Sequence, residues 1–161
     1  MSKLISIIMG SQSDMDTVSE AVNVLKEFNV GFEVKILSAH RTPKELTAYV
    51  EGASVKGVKV FLAAAGGAAA LAGVVAAHTV VPVIGIPIET STLKGMDSLL
   101  STVQMPGGIP VACMAIGKAG AKNAGLFALE ILGITDKTIS QKLLKYRGSM
   151  KKKIKSIKIK I

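Results

Sequence analysis

Apolar residues come along this chain in short runs, separated by stretches in which they recur at helical spacing. The runs are Leu4–Met9, Gly31–Leu37, Val58–Ala64, Val81–Ile86 and Ile109–Ile116, and each predicts a strand. Between the first two, Val18, Ala21, Val22 and Leu25 recur at helical spacing and predict a helix from Asp14 to Phe28. A second helix is predicted from Pro43 to Val55, with Thr42 as N-cap, Pro43 at the first helical position and Glu45 placed as in a capping box. The stretch "GGAAALAGVVAAHT" reads as a loop and a small-residue helix, and residues 95–103 as a short helix. Ala119 to Leu132 is a helix apolar nearly all round, interrupted by Lys122 and Glu130, which predicts burial by another subunit. From Thr135 the chain is helical and basic. Alternating strands and helices, with runs that are continuous rather than alternating, predict a parallel sheet covered on both faces. Ligands of such sheets bind beyond the carboxyl ends of the strands.

Composition narrows the class. The chain of 161 residues is long enough for one domain with a real core, and no linker or internal repeat divides it. Apolar residues make up 49% but aromatic ones only 4%, so the apolar mass is small side chains that allow close packing and leave surface to bury between subunits. No apolar run reaches the length of a membrane span, and Leu4–Met9 is too short for a signal peptide. Cys113 is the sole cysteine, so an internal disulfide is excluded. A cytoplasmic protein without membrane contact is expected.

Charge changes the picture only at one end. Of the net +9, all lies in residues 142–161, which hold nine Lys or Arg and no acid; residues 1–141 are balanced. The expected division is a domain over 1–147 and a basic tail over 148–161. The tail has no interleaved aromatics and reads as a solvated terminus, not as a nucleic-acid site.

Three strand-end loops carry the candidate chemistry. In "GSQSD", Gly10 permits a tight turn, Ser11 and Ser13 supply hydroxyls, and the following helix start offers backbone N–H groups to an anion. Asp14 suits a sugar hydroxyl or a ring amine; the plainer reading is that Ser13 or Asp14 caps the helix. In "SAHRTP", Ser38 and Arg41 can hold a phosphate, and His40, a residue type suited to moving protons, is the candidate general acid and base. The alternative for His40 is a structural hydrogen bond, which is the reading adopted for His78 in "VAAHTVV". The third loop, "AAAGGAAALAG", offers only backbone N–H groups and a dry wall. The chain lacks a metal-ligand cluster, a nucleophile elbow, a Walker A motif and a dinucleotide fingerprint, so no cofactor and no metal is expected.

Taken together, "MGSQSD", "SAHRTP", "AGGAA", "PVIGIP", "GMDSLLSTVQMPGGIPVA" and "AIGKAGAKNAGL" resemble the class I N5-carboxyaminoimidazole ribonucleotide mutases of bacterial purine synthesis, over roughly residues 4–147. The resemblance implies a single-domain, flavodoxin-like three-layer α/β/α sandwich assembled as a homo-octamer, a ribonucleotide substrate and no cofactor. It implies phosphate binding by Ser11 and Arg41, Asp14 toward the sugar, and Ser13, Ser38, Gly67, Ala70 and Leu71 around the same pocket. His40 matches the catalytic histidine, which would move a carboxylate from the exocyclic amine to the ring carbon through trapped CO2. The chain departs from that family at Ala70 and Ala72, where His and Pro are usual. Class II relatives, which carboxylate aminoimidazole ribonucleotide directly with CO2, have an Ala-Leu-small-Gly run there, but also Lys at the place of Arg41 and Arg at that of Gly67. Direct carboxylation, and a nucleotide-binding homologue of low activity, therefore stand beside the mutase reading.

Overall fold

The computed structural model describes residues 2–159. In chain order the elements are β1 (Ile5–Met9), a single 3₁₀ turn (Gln12–Asp14), α1 (Met15–Glu27), β2 (Phe32–Ile36), α2 (Pro43–Val55), β3 (Val60–Ala65), α3 (Leu71–Ala77), β4 (Val83–Pro87), α4 (Met96–Val103), β5 (Ala112–Cys113), α5 (Gly117–Gly133) and α6 (Lys137–Lys155). The five strands form one sheet in the order β2-β1-β3-β4-β5, and every pairing is parallel. This is the flavodoxin-like order, whose direction of winding reverses between β1 and β3.

The side chains of the central strands sort by alternation into two cores. Ile5, Ile7, Met9, Val60, Leu62, Ala64, Ile84 and Ile86 point to the layer of α1, α5 and α6, while Ile8, Phe61, Ala63 and Val83 point to that of α2 and α3. Helices on both faces explain why β1, β3 and β4 are apolar at nearly every position. Strand β2 is the exception. It lies at the sheet edge and alternates, with Glu33 accepting from the Tyr49 hydroxyl at 2.8 Å on the α2 side. The Tyr49 oxygen also meets Ser6 Oγ at 2.6 Å, so the one buried serine of β1 is satisfied.

Two expectations are revised. The run Ile109–Ile116 yields only two paired residues, Ala112–Cys113. Pro110 has no N–H to give a ladder and Gly107-Gly108 forms a turn, which leaves a short edge strand. The cover expected for the α5 helix from another subunit comes in part from the chain itself: Ala121, Ala124, Gly125, Ala128 and Leu129 are buried against α1 and the sheet. Gly125 allows this approach, since a Cβ there would stand 3.2 Å from the Ala21 carbonyl oxygen. Burial of Leu25 and Leu129 across this contact contributes about 1.5–3 kcal/mol each. Helix α6 agrees with the helical, basic reading from Thr135 and runs unbroken across 147 and 148; residues 149–159 are exposed, and the helix persists to Lys155. Residues 160 and 161 of the expected tail lie outside the described residues.

Candidate active site

The loops after β1, β2 and β3 meet beyond the carboxyl ends of those strands, at the point where the winding reverses. They enclose a cavity of about 400 Å³. Its wall is polar where the first two loops face it and apolar where the third does.

The first loop is held by its own side chains. Ser11 N–H donates to Asp14 Oδ2 at 3.1 Å, and Ser13 N–H donates to Ser11 Oγ at 3.3 Å, a reciprocal box around the 3₁₀ turn. The capping reading of Asp14 is not realised on α1, to which its side chain makes no cap bond; Asp14 instead closes the 3₁₀ turn behind the Ser11 N-cap and lines the cavity. The Ser13 hydroxyl donates to Ser11 Oγ at 2.9 Å and stands behind Ser11, outside the lining residues. Burial pushes the Asp14 carboxyl up from its ordinary value, against the pull of the Ser11 N–H, the Ser13 hydroxyl and the Arg41 charge.

The second loop turns on Thr42, whose role differs from the one expected. Its side chain makes no cap bond to α2. Instead Thr42 Oγ1 accepts from Ser38 N–H at 2.8 Å and donates to Ser38 O at 3.1 Å, which closes the loop on itself. Ser38 Oγ in turn accepts from Arg41 N–H at 3.2 Å and from Arg41 Nε at 3.4 Å. Arg41 Nη2 donates to Gly10 O at 2.6 Å, so the guanidinium spans the two polar loops with two of its five N–H donors engaged. His40, on the same turn, is exposed and lines the cavity.

The third loop supplies the apolar wall through Ala65, Gly66, Ala69, Ala70 and Leu71. Gly67 has φ +68° and stands one step off the wall, its N–H donating to Ser98 Oγ at 3.0 Å. Of the residues expected at the site, Ser11, Asp14, Ser38, His40, Arg41, Ala70 and Leu71 thus meet around the cavity, with Ser13 and Gly67 directly behind them. His78 lies elsewhere, between Glu51 at 3.5 Å and Thr47 at 3.4 Å on α2, in keeping with a structural role. The sequence did not single out Ser98 or the structural use of Thr42; Ser98 and Thr102 form the buried side of α4 while Met96, Leu100 and Val103 are exposed, so apolar patterning points away from Ser98. Among the described residues, no group of three or more His, Cys, Asp or Glu side chains is placed to hold a metal ion, and no helix is long and apolar enough to cross a membrane.

Fold and site define a flavodoxin-like α/β chain with a cavity at its switch point that Arg41 and His40 line. The chain belongs to the AIR carboxylase family, whose profile matches residues 4–153. It is 52% identical over 154 residues to the N5-carboxyaminoimidazole ribonucleotide mutase of Bacillus subtilis, covering 96% of this chain and 95% of that protein. It is 55% identical over 148 residues to the mutase of Pyrococcus abyssi, covering 92% and 84%. Among solved structures it is similar to Treponema denticola PurE, with a TM-score of 0.86, 29% identity and 94% of each chain covered.

Proposed function

We propose that this chain is a mutase of purine biosynthesis, an isomerase-class enzyme that converts N5-carboxyaminoimidazole ribonucleotide to 4-carboxyaminoimidazole ribonucleotide. The observation that carries the reading is the placement of His40, Arg41 and Asp14 around one cavity whose opposite wall is Ala, Gly and Leu, in a chain about half identical to proteins named for that reaction. Arg41 and Ser11 would hold the phosphate, and Asp14 a sugar hydroxyl.

His40 then carries the proton. As imidazolium it protonates the carbamate nitrogen; the N–C bond breaks and CO2 leaves with the amine neutral. The electron-rich ring carbon attacks the CO2 and forms the new C–C bond. His40 takes the proton from that carbon and is imidazolium again, so no proton is gained or lost. The apolar wall supplies a dry compartment in which CO2 stays beside the ring.

The test offers purified protein the carbamate nucleotide alone, or the free aminoimidazole ribonucleotide with bicarbonate. Fast ring carboxylation from the first only is expected. Turnover from the second only would establish direct carboxylation instead, and binding without turnover would leave a nucleotide-binding homologue.

The same reading assembles the chain as a homo-octamer in the cytoplasm, where Cys113 stays a thiol. Support comes from an apolar groove of about 560 Å³ lined by Val80, Ile109, Phe127 and Ile131, with Val80 fully exposed in the single chain. Light scattering is expected to report eight chains; a stable monomer would contradict the assembly.

A further inference from the structure

Ser98 is completely buried, three residues into α4, and does not line the cavity. Its hydroxyl is used twice. It donates to Ile88 O at 2.7 Å and accepts from Gly67 N–H at 3.0 Å. Ile88 N–H donates in turn to Ala65 O at 2.9 Å. The two backbone ends of the segment Ala65–Gly67 are thus tied, one directly and one through Ile88, to a single side chain.

That segment needs holding. Gly67 has φ +68°, and Ala69 two residues on has φ +39°, a conformation that a residue with a Cβ rarely adopts. Local strain of this kind persists only when the surroundings over-determine it. Within the loop itself the described bond is Ala69 N–H to Gly66 O at 3.3 Å, which is long. The stronger restraint comes from α4, whose own start is fixed by Thr90 Oγ1 donating to Asp97 Oδ1 at 2.8 Å and accepting from Gly95 N–H at 3.2 Å.

We infer that Ser98 is a positioning residue: through Gly67 and Ile88 it holds the Ala65–Leu71 wall closed against the cavity and so retains CO2 between the two halves of the reaction. The inference rests on the mutase reading above. The groups assigned to phosphate and sugar lie on the other two loops, so Ser98 governs the fate of CO2 rather than nucleotide affinity. Without its hydroxyl, Gly67 N–H and Ile88 O lose their partner, and a buried polar group left unpaired favours conformations that reach water.

The experiment gives Ser98→Ala the carbamate nucleotide in the presence of isotopically labelled bicarbonate. It measures label in the ring-carboxylated product and the free aminoimidazole ribonucleotide released, with an enzyme-free blank subtracted. The leaked fraction is expected to rise on the order of tenfold over wild type, the scale of one buried hydrogen bond, with KM changed much less. Thr102→Val is the control. Thr102 Oγ1 donates to Ser98 O at 2.7 Å in the same helix and is also buried, but its hydroxyl bonds neither Gly67 nor Ile88. It is expected to lower the melting temperature and leave the leaked fraction at the wild-type value.

Should Ser98→Ala not fold, Ser98→Cys carries the test. It keeps a weaker donor and acceptor, and an intermediate leak is expected. A folded Ser98 variant with wild-type leak overturns the inference, and so does an equal leak from Thr102→Val. If wild type itself makes no ring-carboxylated product from the carbamate nucleotide, the mutase reading falls instead.

Discussion

Arg41 Nη2 donates to the Gly10 carbonyl oxygen at 2.6 Å and joins two loops that are 31 positions apart in the chain. The bond keeps the Arg41 guanidinium over the turn of Ser11, to which the proposed function assigns the phosphate. Arg41 is exposed, so its loss should cost little stability. Replacing it by Met removes both the bridge and the charge. Affinity for the ribonucleotide should fall roughly 10- to 100-fold, the scale of one charge-assisted hydrogen bond, with the melting temperature nearly unchanged. Calorimetric titration with a non-reacting ribonucleotide monophosphate measures it, and retained affinity would remove Arg41 from the binding site.

His40→Asn should lose turnover by about 10²–10⁴-fold while binding nucleotide almost as wild type does. Asn keeps a hydrogen bond at that position but cannot carry a proton. A near-normal rate would assign the proton transfers to another group.

Asp14→Asn separates binding from stability. Burial raises the Asp14 carboxyl above its ordinary value despite the Ser11, Ser13 and Arg41 contacts that oppose the shift. A carboxyl whose pKa is higher in the folded state favours folding while it is protonated. Its contribution is lost as pH rises from the unfolded value, about 3.9, through the folded one, and is level above both. Asn does not titrate there and can still accept from Ser11 N–H. The melting temperature of Asp14→Asn relative to wild type should therefore rise through that window and then stay flat, while nucleotide affinity drops. A difference independent of pH across the acid range would contradict the assigned direction.

Gly125→Leu tests the α1–α5 contact. Its Cβ would meet the Ala21 backbone at 3.2–3.3 Å and Val24 Cβ at 3.3 Å, with no flexible side-chain end to give way. Overpacking of this kind typically costs about 1–3 kcal/mol. Chemical denaturation should show a lowered midpoint; a variant as stable as wild type would mean that the helices separate without loss.

Deleting residues 149–161 should leave turnover and assembly near wild type. Residues 149–159 are exposed, and the described contacts of α6 with the body come from Ile139, Lys142, Leu143, Tyr146 and Arg147, all before the cut. Retention on a polyanion column should fall and lose its salt dependence, because exposed charges are screened. Dissociation or inactivity of the truncated chain at low salt would make the segment part of the assembly.

Much of this architecture was legible in the sequence. The runs at Leu4–Met9 and Val58–Ala64 mark buried parallel strands because no half-solvated strand carries so few polar residues, and the Pro43 start of α2 follows from a fixed φ and a missing N–H. The loops that close the cavity were legible as well, since strand ends of a parallel sheet are where ligands bind. The length of β5 was not, because pairing depends on the geometry of the neighbouring strand as well as on the apolar run. The cover of α5 was not either: a small-residue helix packs equally well on its own chain or on another, and only the close packing at Gly125, where a Cβ would stand 3.2 Å from Ala21 O, assigns one stripe of it to α1.

The sequence alone determined the α/β class, the charge-neutral core with its basic end, and the residues Ser11, Asp14, Ser38, His40 and Arg41 as the polar groups of the strand-end loops. These depend on local chemistry and on period, which the order of residues contains. The tertiary structure alone decided that Thr42 closes its loop instead of capping α2, and that Arg41 reaches Gly10. It also decided that Ser98 accepts the N–H of Gly67, thirty-one residues away. Each of these is a hydrogen bond in which a side chain has several possible partners; the turn of its own loop selects the partner of Thr42, and for Arg41 and Ser98 folding does so by bringing backbone thirty-one positions away within about 3 Å.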